Sequence, residues 1–178
     1  MTTDNRRANT KKAIQNAMVT LLKTKSFDDI TTTKLAKEAG ISRSSFYTHY
    51  KDKFELIDSC QQTLFNQIEY IFEKHVGDKE AAFLEIFEFL KREQLLSALI
   101  SANGTREFQT FIVNKVRLFI NTDFQRRFKR EKLTPVEAEY SSIYLASAFF
   151  GLCQAWIANE KKESPRQMTN LVLKLLPM

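Results

Sequence analysis

The chain is predicted to be all-α, and three observations carry that expectation. It has only 4 Gly and 3 Pro in 178 residues, too few for the many tight turns of a β-sandwich or barrel. Its apolar residues recur at helical spacing along most of the length. Two late segments, "TPVE" at 134–137 and "SPRQ" at 164–167, place Thr or Ser at N-cap, Pro at N1 and Glu or Gln at N3, which together open a helix. With 43% hydrophobic residues and 15 Phe the chain can bury a sizeable core.

The elements follow in order. Ile14, Ala17, Met18, Leu21 and Leu22 trace one face of a first amphipathic helix. "KSFDDITTT" breaks that period, with Phe27 and Ile30 expected to pin the loop to the core. A second helix begins at Thr31 or Thr32, either hydroxyl being suited to cap free N–H groups, and stops at Gly40. Ser42 caps a third helix of about two turns that turns Phe46 and Tyr50 inward. Asp52 and Glu55 resemble a capping box for a long fourth helix along Ile57, Cys60, Leu64, Ile68, Ile71 and His75, ended at Gly77-Asp78.

Phe83, Ile86, Phe87 and Leu90 mark a fifth helix, and Leu95, Leu96, Leu99 and Ile100 a shorter sixth. Asn103-Gly104 reads as a turn, followed by a long helix through Phe108, Phe111, Ile112, Phe119 and Ile120. The two capped starts open final helices over roughly 135–160 and 165–176, for about nine helices and no strand. The apolar run at 143–158 is shorter than the roughly 20 residues of a span and carries Ser147 and Gln154, so a buried helix is expected.

Charge is unevenly placed. Residues 1–53 hold 11 Lys/Arg against 5 Asp/Glu, whereas residues 54–178 hold 16 of each. The whole formal excess of +6 therefore lies in the first third, as expected of a domain that meets a polyanion joined to one that does not. Cys60 and Cys153 form no CxxC pair and suggest a reducing compartment. "MTTDNRRANTKK" has no apolar h-region behind it, so no secretory signal is read there and a cytoplasmic location is expected.

The segment "LAKEAGISRSSFYTHYKDKFEL" has the proportions of a helix-turn-helix, with Ala39 allowing close helix contact, Gly40 turning the chain and Ile41 filling the corner. In such a unit the second helix enters the DNA major groove, so its outward residues should be short hydrogen bonders and cations. Arg43, Ser44, Ser45, Tyr47, Thr48 and His49 fit. Arg43 suits guanine O6/N7 or a phosphate equally, and Tyr47 and His49 also admit plainer readings as a half-buried tyrosine and a solvated helix-end histidine.

These residues resemble the DNA-binding segment of TetR/AcrR-type transcriptional regulators, matching it at Leu35, Ala36, Ala39, Gly40, Ile41, Ser42, Phe46, Tyr47, His49, Lys53 and Leu56. Tyr50 stands for a usual Phe, Ser44 for a frequent Gly and Ser45 for a frequent Thr. The resemblance implies a DNA-binding domain over 1–53 and a helical effector-binding and dimerisation domain over 54–178. It places Thr32, Ser42, Tyr47, His49 and Lys53 at phosphates, and Arg43, Ser44, Ser45 and Thr48 nearest base edges. Lys53, in the first turn of the fourth helix, also lies beside N–H groups that favour an anion.

It further implies a homodimeric repressor of a palindromic operator, released by a small molecule. Small residues punctuate the eighth helix, and Ala148, Phe149, Gly151, Leu152 and Ala155, with Met168, Leu171, Val172 and Leu175 on the ninth, are candidates for the dimer interface. Phe65, Phe72, Phe87, Phe108 and Phe111 are candidates to line a pocket for an apolar or aromatic effector, or else simple core. With no GxxxxGK[ST], HExxH or GxSxG, no enzyme is expected, nor any metal or cofactor. Cys60 is expected in the core, the alternative being a redox sensor, and His75 is structural. Two other readings remain open, an architectural DNA binder and a regulator answering to a protein partner.

Overall fold

A computed structural model describes residues 3–131 and 134–175, and the side chains of 5–119 and 134–175. Among the described residues there are nine helices and no strand: α1 (Thr3–Leu22), α2 (Thr32–Glu38), α3 (Arg43–Tyr47), α4 (Lys53–Lys74), α5 (Lys79–Arg92), α6 (Gln94–Ile100), α7 (Arg106–Glu131), α8 (Pro135–Ala158) and α9 (Pro165–Leu175). The expected extension of the last helix to 176 lies outside the described residues.

The chain divides into two compact units, Met1–Gln67 with Glu93–Thr105, and Ile68–Arg92 with Arg106–Met178. The sequence reading divides the chain after residue 53; by contacts the division falls inside α4, and α6 belongs with the first unit.

In the first unit α1 packs on α2 and α6, and α2 on α3. Ile14, Ala17, Met18, Leu21 and Leu22 are all buried, as their spacing requires. Asn103 holds the loop after α1 from two sides: its carbonyl accepts the Phe27 N–H at 2.8 Å, and its Nδ2 donates to the Leu22 carbonyl at 2.9 Å. Gly104 permits that turn, because a Cβ there would stand 1.8 Å from the Leu99 carbonyl oxygen.

In the second unit α7 packs on α8 and α5 on α9. Phe87 meets Trp156 edge-on at 5.3 Å between centroids and also touches Phe149, which in turn approaches Phe83 at 5.2 Å. Both late caps form as the sequence indicates. Thr134 and Glu137 complete a reciprocal box, and Gln167 Oε1 accepts the Ser164 N–H while Ser164 Oγ accepts that of Gln167. Glu160 and Lys161 turn the chain between α8 and α9 at φ 57° and 54°, and Lys161 Nζ caps the α5 carbonyl of Leu90 at 2.7 Å.

The run at 143–158 is not the buried helix its composition suggests. Along α8, Ser142, Leu145, Ala146, Cys153 and Trp156 are buried. Val136, Tyr140, Ile143 and Tyr144 are exposed, as are Ala148, Gly151 and Ala155. By length and composition α8 could cross a membrane. Within this unit, however, one stripe packs inward and, among the described residues, the opposite stripe lacks cover. A helix apolar on all sides has no periodicity from which to read that division.

Candidate nucleic-acid interface

α2 and α3 are joined by a turn whose geometry the sequence dictates locally. Gly40 sits at φ +66°, and the N–H groups of Gly40 and Ile41 bond the carbonyls of Lys37 and Ala36, which is a Schellman closure of α2. Thr31 is the N-cap of α2, accepting the Lys34 N–H at 3.3 Å, which places Thr32 at the first helical position, half-buried. Ser42 Oγ accepts the Ser45 N–H at 3.0 Å and starts α3.

α3 has five residues rather than two full turns, too short to persist alone. Phe46 (0% exposed) and Tyr50 (3%) fasten it to the unit. That anchoring leaves Ser42, Arg43, Ser44, Tyr47 and Thr48 exposed and Ser45 and His49 half-buried. Arg43 lies over the Tyr47 ring at 6.0 Å and its Nη2 donates to the Tyr47 hydroxyl at 3.4 Å, so the two exposed side chains hold one another in place. Ser44 Oγ bonds Ser42 Oγ at 2.9 Å, and Thr48 Oγ1 donates to the Ser45 carbonyl at 2.7 Å.

Lys53 is placed differently from what its position suggests. Its ammonium donates to the carbonyls of Phe27 at 2.7 Å and Asp28 at 3.0 Å, and sits 4.5 Å from the Phe27 ring centroid. Burial lowers its pKa, an effect opposed by Asp28 and Asp29. The first-turn N–H groups beside it are also engaged, since Asp52 Oδ1 accepts from Phe54 and Glu55 at 2.9 Å each. Glu55 reaches back to the Lys51 N–H rather than that of Asp52, so the expected box closes one residue early.

His49 carries a buried Nδ1 without a hydrogen-bond partner, and its pKa lies below the ordinary value through burial and then the positive charges of Arg7 and Lys11. Lys11 stands 5.7 Å from the Tyr50 ring centroid. These α1 cations are absent from the sequence-level candidates. Their i, i+4 spacing is visible in the chain, but their approach to residues some forty positions away is not.

The second unit separates its candidates. Ala148, Gly151, Ala155, Leu171 and Leu175 are exposed, Phe149 and Leu152 half-buried. Met168 and Val172 are each 5% exposed and have little surface left to offer. Of the five Phe considered for a pocket, Phe72 stacks on Phe119 at 3.8 Å, Phe87 joins the Trp156 cluster, Phe108 is buried and Phe111 half-buried. Phe65 falls in the first unit, apart from the other four. Cys60 is buried, takes a bond from Gln15 Nε2 at 3.1 Å, and has its thiol pKa raised by burial, the opposite of a poised sensor. His75 pairs with Glu85, which Lys74 also binds at 2.8 Å.

An all-helical chain whose short capped helix displays Arg, Ser, Tyr and Thr from a tight helical turn belongs to the helix-turn-helix class of DNA-binding proteins. Comparison with known proteins gives the family. Residues 14–60 match the family described as bacterial regulatory proteins, tetR family, and residues 77–177 match a TetR transcriptional regulator C-terminal region. The chain belongs to the TetR family of transcriptional regulators, which are DNA-binding proteins and not enzymes.

Among curated relatives, the HTH-type transcriptional regulator YxbF of Bacillus subtilis is 22% identical over 92% of this chain, which spans 43% of that protein's length. The nucleoid occlusion factor SlmA of Mannheimia succiniciproducens is 23% identical over 80% of this chain and 73% of its own. The same fold is found in the fatty acid degradation regulator FadR of Bacillus halodurans, at TM-score 0.68, 14% identity and 93% coverage of both chains. It is also found in NalD, a secondary repressor of a multidrug efflux pump in Pseudomonas aeruginosa, at TM-score 0.66 and 22% identity over 96% and 94%. FadR of Bacillus subtilis, solved with stearoyl-CoA, superposes at TM-score 0.65 with 15% identity over 92% and 96%.

Proposed function

We propose that the chain is a homodimeric repressor that holds a palindromic operator and leaves it when a small molecule binds. The observation that carries this reading is the reading helix itself, with Arg43, Ser44 and Thr48 exposed over the buried anchors Phe46 and Tyr50. Arg43, Ser44, Ser45 and Thr48 face the base edges, while Thr32, Ser42, Tyr47 and His49 meet phosphates.

Five residues read too few base pairs to specify a site, so a second copy supplies the other half-site about one helical turn, or a multiple, away. The unpartnered apolar stripe of α8, with Leu171 and Leu175 of α9, supports a two-fold contact. Gly151 supports it further: a Cβ there meets nothing within 4 Å among the described residues, which leaves room for the helix of a second copy to approach closely.

Release follows from linkage, the effector lowering DNA affinity by as much as it prefers the unbound conformation. α4 contributes residues to both units and is the natural lever. Phe72, Phe87, Phe108 and Phe111 favour an apolar or aromatic ligand, and the stearoyl-CoA in one neighbour makes acyl-CoA thioesters the first class to try. The work of such a protein is cytoplasmic.

Selection of binding sites from random duplex DNA tests the reading. A palindrome is expected, and binding with no enriched sequence overturns it. The similarity to SlmA, a nucleoid occlusion factor, favours a second reading, an architectural DNA-binding role on the nucleoid, in which small molecules leave DNA affinity unchanged.

A further inference from the structure

The exposed face of α3 carries several hydroxyls, and their protons are not equally free. A hydroxyl has one proton and two lone pairs, so a proton committed to the backbone leaves only an acceptor facing outward. Thr48 is in that state. It is exposed, and its Oγ1 donates to the Ser45 carbonyl three residues back at 2.7 Å, a bond that threonine makes readily at a helix end. Tyr47 is in the opposite state, since its oxygen accepts from Arg43 Nη2 at 3.4 Å and its proton stays free. Ser42 and Ser44 meet through their Oγ atoms at 2.9 Å, and one of their two protons remains for an outside acceptor. Arg43, Tyr47 and the serine pair therefore offer donors, whereas Thr48 offers an acceptor.

Base edges sort by the same property. In the major groove the only base-edge donors are adenine N6 and cytosine N4. An oxygen whose proton is committed inward pairs with those amino groups and meets guanine O6 or thymine O4 as one lone pair meets another. Turning the proton outward to suit either keto group breaks the 2.7 Å bond to Ser45.

We propose that Thr48 is a specificity-determining residue whose hydroxyl oxygen reads the exocyclic amino group of an adenine or cytosine. The inference rests on α3 being the base-reading helix and adds what Thr48 selects there. One column of each half-site sorts amino bases from keto bases on one strand.

The test selects binding sites from random duplex DNA with the wild-type protein, Thr48→Val and Thr48→Ser. Val keeps the shape and removes the oxygen; Ser keeps the oxygen and its reach to the Ser45 carbonyl and removes the methyl. Neither change unseats the helix, because Thr48 is exposed and the Ser45 carbonyl also accepts the backbone N–H of position 48 at 3.3 Å. With the wild-type protein, one column per half-site should accept adenine or cytosine interchangeably. Exchange for guanine or thymine there should weaken binding about five- to ten-fold. Thr48→Val should flatten that column and leave the other columns and the salt slope unchanged, whereas Thr48→Ser should retain it.

Equal ranking of sites by wild type and Thr48→Val, with or without a uniform loss of affinity, overturns the proposal. So does a column changed by Thr48→Val that does not sort adenine and cytosine from guanine and thymine. A column lost in Thr48→Ser and kept in Thr48→Val overturns it as well, and assigns the threonine methyl to a thymine C5-methyl instead. Failure of the wild-type protein to select any sequence would sink the base-reading role of α3 itself, and the role of Thr48 with it.

Discussion

Replacing Lys53 by Met separates two roles for a residue that sits at the junction of the loop and α4. Its ammonium makes two charge-assisted bonds, at 2.7 and 3.0 Å, to the Phe27 and Asp28 carbonyls. Such bonds contribute about 1.5–3 kcal/mol each when fully buried. Two facts reduce the sum here. Asp28 is exposed, so water replaces the lost donor, and the Phe27 carbonyl keeps the Ile30 N–H at 3.2 Å. Met retains most of the packing against Phe27 and Phe54, leaving an expected loss of about 2 kcal/mol. For a chain of 178 residues that is a fall in melting temperature of about 4–8 °C.

The salt slope of operator binding should not change, because the ammonium serves the loop and not a phosphate. Thermal denaturation and a salt-dependent DNA titration on the same preparation read both quantities. A slope shallower by about 0.9 per protomer with unchanged melting would show the ammonium on a phosphate and refute this reasoning.

Three further outcomes follow from other parts of the molecule. Gly151→Leu adds a side chain where this chain leaves open space, so the protomer should stay folded by circular dichroism while sedimentation shows a monomer; a variant that remains dimeric removes α8 from the interface. Glu160→Gly relieves a left-handed residue at φ 57° and should raise stability by about 1 kcal/mol in urea denaturation, and an unchanged or lower midpoint contradicts the strain. His49 begins with a depressed pKa, and a phosphate would raise it, so binding takes up a proton. Operator affinity should therefore increase as pH falls through and below about 6.5, and His49→Asn should abolish that dependence; a wild-type affinity flat in pH contradicts the contact.

The local features of the molecule are legible in its residues because their causes are local. Thr134-Pro135 and Ser164-Pro165 open helices through contacts three residues long, and Gly40 closes α2 because few other residues accept φ +66°. Phe46 and Tyr50 point inward at a spacing of four, which by itself assigns the outward residues of α3. The nine helices among the described residues and the exposed face of α3 follow from such short-range rules, and so does the basic first third.

Tertiary structure decides what depends on residues distant in the chain. Lys53 turns to carbonyls 25 and 26 positions away, and Asp52 occupies the N–H groups that an anion could have taken. Arg7 and Lys11 bear on His49, some forty positions away, and lower its pKa. The ninth helix divides its apolar residues between core, at Met168 and Val172, and surface, at Leu171 and Leu175. In α8, apolar on every side, the packing of α7 and of the α5 residues Phe83 and Phe87 against one stripe distinguishes inside from outside. Periodicity reports a face when polar residues mark the opposite one, and where they do not, the neighbour alone makes the choice.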